Sequence, residues 1–167
     1  ISIVGAGMDA TIFDGDQSNS GFVLDYSSTA SSNITISDMT IKDMKASSGG
    51  GGIYIKRGTG IVIEDVKFES CSTNNYGGAI YFSNKLINAT INSCVFNNNW
   101  SQSDGGAIFA LGNLTINNSL FFNNKVNSSL ATTIADEGNT VYNNCTFTEN
   151  GDVSGKTVFK YRRSSSA

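Results

Sequence analysis

The 167-residue chain has no proline, no histidine and only 15% charged residues. The missing histidine excludes a Ser-His-Asp triad, a Cys-His pair and any His-ligated zinc or copper site, and most familiar hydrolase chemistries go with it. A formal net charge of −3, a pI near 4.8 and no Lys/Arg run other than Lys160–Arg163 leave no electrostatic grip for nucleic acid. No stretch approaches the ~20 consecutive apolar residues of a membrane-spanning helix. The chain opens at Ile1 with neither an initiator methionine nor a charged-then-apolar leader, and is therefore read as a mature piece or fragment of something longer.

What is present is 39% hydrophobic residues, enough for one packed domain over 1–167, in a background of 18 Gly, 20 Asn, 23 Ser and 14 Thr. Such a background suits disordered segments, but here aliphatic and aromatic residues recur at regular intervals. Five segments align: Asn33-Ile-Thr-Ile, Gly60-Ile-Val-Ile, Asn88-Ala-Thr-Ile, Asn113-Leu-Thr-Ile and Asn139-Thr-Val-Tyr, at offsets of 27, 28, 25 and 26 residues. Three columns follow: Ile36, Ile63, Ile91, Ile116, Tyr142; then Met39, Val66, Cys94, Ser119, Cys145; then Ile41, Phe68, Phe96, Phe121, Phe147. A second block, Gly51-Gly-Ile-Tyr, Gly77-Gly-Ala-Ile-Tyr, Gly105-Gly-Ala-Ile-Phe, Ala131-Thr-Thr-Ile-Ala and Gly155-Lys-Thr-Val-Phe, keeps step with the first.

Within each unit the pattern has period two, is rich in Ile, Val, Thr and aromatics, and breaks every three to five residues at Asn, Asp, Ser or Gly. Short strands in a repeat of about 25 residues predict one coil of a parallel β-helix, with strands paired above and below at ~4.8 Å. Two apolar columns three residues apart, as at Ile36 and Met39, require a bend between them. The bend falls at Asp38, Asp65, Ser93, Asn118 and Asn144, types that tolerate left-handed geometry. A second corner follows the Phe column, where Asn99, Asn124 and Asn150 are placed to form an amide ladder. Residues 1–32 form a first coil of different length, 33–163 five repeats and 164–167 a tail. Cys94 and Cys145 share a column two coils, about 9.6 Å, apart, and Cys71 lies in another, so three buried free thiols are expected.

The Gly-Gly-Ala-Ile motifs at Gly77 and Gly105, alternating with Phe-x-x-Asn at Phe96, Phe121 and Phe147, resemble the paired repeats of the polymorphic outer membrane protein family. The opening Ile-x-Ile-x-Gly-x-Gly-x-x-x-Thr-Ile-x-Asp-Gly resembles the start of right-handed parallel β-helix, pectin-lyase-like domains, adhesin-like archaeal surface proteins among them. The resemblance covers nearly the whole chain. It implies an all-β, single-stranded right-handed parallel β-helix of five to six coils, in a superfamily of polysaccharide lyases and hydrolases, adhesins and autotransported passengers. Two units depart from the pattern: Phe68 is followed by Cys71 in place of Asn, and Ala131-Thr-Thr-Ile stands where Gly-Gly-Ala-Ile belongs.

Few residues invite a chemical role. Val4-Gly-Ala-Gly-Met-Asp-Ala is similar to a dinucleotide fingerprint, but a strand and a turn follow it where a helix is needed. Asp9, Asp14 and Asp16 gather near one turn, and Asp136 and Glu137 at another. Apart from Asp38 and Asp65 at the bend, where the residue type suits a left-handed turn, adjacent coils repeat no acid in one column, and neither a carboxylate pair for glycan cleavage nor six oxygens for Ca²⁺ is read from the pattern. No metal or cofactor is expected. Trp100, the single Trp, is placed in a polar loop, Asn99 to Asp104, and Tyr76 in the loop before Gly77. These two are the expected binding residues, since the longer loops all leave the same corner and gather on one side. Of the column Tyr54, Tyr81, Phe109, Ala135, Phe159 and its neighbour Ile53, Ile80, Ile108, Ile134, Val158, one faces out, and the pattern does not decide which. Sequons at Asn33, Asn88 and Asn113 fall at coil turns and are candidate N-glycosylation sites.

The expected function is a non-enzymatic, extracellular or cell-surface segment, outer-membrane or cell-wall associated, that displays loops on a rigid rod and binds a host or neighbouring cell surface through glycan or protein. A carbohydrate-active lyase or hydrolase and a purely structural spacer are the alternatives.

Overall fold

The computed structural model describes residues 1–26, 33–127, 133–152 and 160–161, with the backbone alone at 152, 160 and 161. The Gly155–Phe159 block, the ends of two of the longer loops and the tail lie outside the described residues. Among the described residues regular structure is all strand, in parallel pairs. The coils stack into three sheets, the first coil contributing to two of them. The long sheet contains Ile34–Lys42 and Ile61–Glu69, then split pairs such as Asn88–Asn92 with Val95–Asn97 and Asn113–Asn117 with Leu120–Phe122. A short sheet stacks Lys45–Ala46, Ser72–Thr73, Trp100–Ser101, Lys125–Val126 and Gly151–Asp152. The third stacks Phe22–Asp25, Ile53–Arg57, Ile80–Phe82, Ile108–Ala110, Ile134–Asp136 and Lys160–Tyr161.

The register is the one the repeat predicts. Ile36, Ile63, Ile91 and Ile116 pair in sequence, as do Ile41, Phe68, Phe96 and Phe121, and all are fully buried. The phenyl rings of Phe68, Phe96, Phe121 and Phe147 stack at 5.0, 4.6 and 4.6 Å along the solenoid. Asp38, Asp65, Ser93, Asn118 and Asn144 sit at φ between 50° and 58°, so each corner uses a residue whose short polar side chain accepts the left-handed region.

At the second corner the left-handed residue is one earlier than the ladder: Asp43, Ser70, Asn98, Asn123 and Glu149, at φ of 51° to 55°. That turn rotates the next side chain inward, where Asn99, Asn124 and Asn150 are buried. The Asn99 Nδ2 donates to Asn124 Oδ1 and the Asn124 Nδ2 to Asn150 Oδ1, both at 2.9 Å. In the unit lacking the asparagine, Cys71 accommodates the same environment: its N–H donates to Asn99 Oδ1 at 3.0 Å and its thiol to the Ile41 carbonyl at 3.4 Å. Cys71, Cys94 and Cys145 are all free, as expected, but Cys145 is only half-buried.

Candidate functional site

The third sheet resolves the undecided columns. Ile53, Ile80, Ile108 and Ile134 point into the core and are buried. Tyr54, Tyr81, Phe109 and Ala135 therefore form the outward column, in register along the sheet. Tyr54 and Tyr81 stack in parallel at 5.0 Å, and Phe109 meets Tyr81 edge-on at 5.5 Å. Tyr76 folds over both, its ring 4.5 Å from Phe109 and 5.9 Å from Tyr81. Lys56 places its ammonium 5.5 Å from the Tyr54 ring centre, within cation–π range. Gly49 makes room: a Cβ there would press on the Tyr81 ring and on the Tyr76 carbonyl. Burial pushes the Tyr81 phenol up, with Tyr54 and Tyr76 adding to it. The stripe is thus a second layer of rings that cover one another's faces: Phe109 and Ala135 are buried within it, and the half-buried Tyr54, Tyr76 and Tyr81 form its outer surface.

Tyr76 belongs to this layer. Trp100 does not lie in a loop; it opens the strand Trp100–Ser101, because the chain resumes ladder pairing directly after the Asn99 corner. Its side chain occupies the outward column of Lys45, Ser72, Trp100, Lys125 and Gly151, half-exposed, while Ser101 turns in. Among the described residues no ring pairs with Trp100, so the two expected binding residues occupy neighbouring faces and are not brought together.

The carboxylates separate further. Asp9 is exposed, and Asp14 accepts from Lys42 at 2.8 Å and from the Asp16 N–H at 3.0 Å. The Lys42 ammonium holds the Asp14 carboxyl below its usual range, as Arg57 does for Asp25. Asp136 is on a strand, not in a turn, and its alternation places it in the inward column beneath Ile55, Phe82 and Ala110, whereas Glu137 points out. Burial pushes the Asp136 carboxyl up, and its Oδ1 has no hydrogen-bond partner among the described residues. A carboxyl facing the core cannot reach a polymer outside it. Among the described residues no three Cys, Asp or Glu side chains converge to hold a metal ion. Gly5 and Gly7 form a plain corner, hydrogen-bonded to Ser37 and Asp38.

One feature was missed in the sequence. On the outer face of the long sheet a groove of about 390 Å³ is lined by Asn33, Gly60, Ile61, Val62, Asn88, Ala89, Thr90, Asn113, Leu114 and Thr115. Amide ladders run beside it: Asn113 Nδ2 donates to Asn88 Oδ1 at 3.0 Å, and Asn143 to Asn117 and Asn117 to Asn92 at 2.8 Å each. The repeated Asn-x-Thr-Ile segments carried this signal, but they suggested a strand start and a sequon, and neither points to a groove.

Comparison with curated proteins and with solved structures finds no match. The family profile described as a right handed beta helix region matches residues 16–165, and with the stacked parallel coils this shows that the chain belongs to the right-handed β-helix family.

Proposed function

We propose that the chain is a non-enzymatic, adhesin-like segment of an extracellular or cell-surface protein, which uses its rigid β-helix to present an aromatic face to a glycan or protein on another cell. The observation that carries this reading is the outward layer of Tyr54, Tyr76 and Tyr81 packed over the buried Phe109, with Trp100 on the adjoining sheet. Aromatic residues on a rigid scaffold are the usual anchors of recognition. The likeness to polymorphic outer membrane repeats supports the surface location. The exposed sequons at Asn33, Asn88 and Asn113 suit a secreted chain and are available to N-glycosylation in a host that performs it.

The carboxylates support binding over turnover: Asp14 and Asp25 are held in ion pairs, Asp136 faces the core, and the adjacent Asp38 and Asp65 serve as left-handed corner residues, whereas glycoside cleavage needs two acids across one bond. A structural spacer is the second reading, favoured by the way the rings cover each other. Replacing Tyr76 and Trp100 by Ser and measuring attachment of the protein to partner cells separates these. Attachment should fall while the fold persists; unchanged attachment would leave the spacer reading, and release of sugar from a polysaccharide would establish the enzyme.

A further inference from the structure

The outer asparagine ladder of the long sheet has a missing rung. Asn113 Nδ2 donates to Asn88 Oδ1 at 3.0 Å, and the Asn139 N–H donates to Asn113 Oδ1 at 3.1 Å, so each rung passes a hydrogen bond to the one before it. The register puts Gly60 next to Asn88, since Ile61 pairs with Ala89, and Asn33 beyond Gly60, since Ile34 pairs with Ile61. Gly60, at φ 64°, supplies no side chain. Asn33 and Asn88 are therefore two strand spacings, about 9.6 Å, apart across an open position. With Asn88 Oδ1 turned to Asn113, the planar geometry of the amide turns Asn88 Nδ2 toward that position.

We propose that this gap binds the acetamido group of an N-acetylhexosamine. The group is a planar amide of the same kind as the absent asparagine side chain, so it restores the rung: its carbonyl oxygen accepts from Asn88 Nδ2. Its methyl group lies against Val62, the outward neighbour of Gly60, and the hydroxyls of Thr90 and Thr115 face the sugar ring. No lining residue carries a charge, which selects a neutral sugar over a uronate or a phosphate. The groove of about 390 Å³ is at the small end of ligand sites and fits a short oligosaccharide. It lies on a different sheet from Tyr81 and does not depend on the aromatic-face reading.

The test is calorimetric and NMR titration of the protein, made without N-glycosylation, with tri-N-acetylchitotriose (chitotriose below, always the fully N-acetylated trimer) and with cellotriose, which differ in the acetamido groups. Chitotriose should bind and shift the amide signals of Gly60, Asn88 and Asn113, and cellotriose should not. Asn88→Ala should weaken binding about tenfold, the loss of one hydrogen bond. Gly60→Asn fills the rung with a residue that tolerates positive φ, and should abolish binding while the melting temperature is kept. Tyr76→Ser with Trp100→Ser should leave chitotriose binding unchanged, which separates this site from the aromatic face. Equal binding of the two trisaccharides, no binding of chitotriose at millimolar concentration, or full binding by a folded Gly60→Asn variant would each overturn the proposal.

Discussion

Asn124 makes more of its surroundings than any apolar residue of its coil. Its Oδ1 accepts from the Asn99 N–H and Nδ2 at 3.1 and 2.9 Å, and its Nδ2 donates to the Phe96 carbonyl and Asn150 Oδ1 at 2.9 Å each. All of this is buried, so truncation orphans several polar groups at once, each costing about 1–3 kcal/mol. Asn124→Ala should lower stability by about 3 kcal/mol or more, and urea denaturation showing a loss under about 1 kcal/mol would contradict the ladder's role. The thiols are graded by burial in the same way. Cys71 and Cys94 are buried and pushed up to about 12, whereas Cys145 is half-buried. A thiol reagent at neutral pH should therefore label Cys145 in the native protein, reach Cys71 and Cys94 only on unfolding, and count three in denaturant without reductant.

At the scale of the strand and the corner, much was legible because the determinants are local or strictly periodic. Asp38, Asp65, Ser93, Asn118 and Asn144 announce a left-handed bend by residue type, and Ile36 and Ile41 announce the core by recurrence. The Tyr54 and Ile53 columns were ambiguous because both are apolar, and the deciding contact, Tyr76 on Phe109, joins residues 33 positions apart. Gly60 replaces the Asn that starts the other four segments, and that it leaves a gap follows only once Asn33 and Asn88 are stacked on either side. Trp100 was misplaced because a two-residue strand is too short to show a period. The Phe column gives the element-scale test. Phe96 lies between Phe68 and Phe121 with no exposed surface, so Phe96→Ala should cost about 3 to 5 kcal/mol by opening a cavity that both neighbours bound. Phe147, only partly buried, should cost less when truncated, and equal losses at the two sites would contradict the difference in burial.

Over the whole molecule, the carboxylates pull stability in opposite directions with pH. Glu69, held below its usual range by Lys67 and then Asn97, stabilises the folded chain above the ordinary carboxylate pKa, and that contribution disappears as pH falls through its folded value. Asp14 and Asp25 act in the same sense, weakly, because their ion pairs are exposed. Asp136 acts the other way. Burial raises its folded pKa, so between the unfolded and folded values the folded state binds more protons than the unfolded chain, and stability declines as pH rises through that window. Because each coil of a solenoid rests on its neighbours, charging Asp136 beneath Ala110 loosens the late coils before the central ones. Stability should therefore decline as pH rises above the ordinary carboxylate value, and Asp136→Asn, which keeps the shape and removes the charge, should remove that decline. Urea midpoints measured from pH 3 to pH 8 check this, with hydrogen exchange locating the loosened coils. An alkaline decline that persists unchanged in Asp136→Asn would place its origin elsewhere, and a variant less stable than the wild type at every pH would mean that the buried carboxyl has a partner that an amide cannot satisfy.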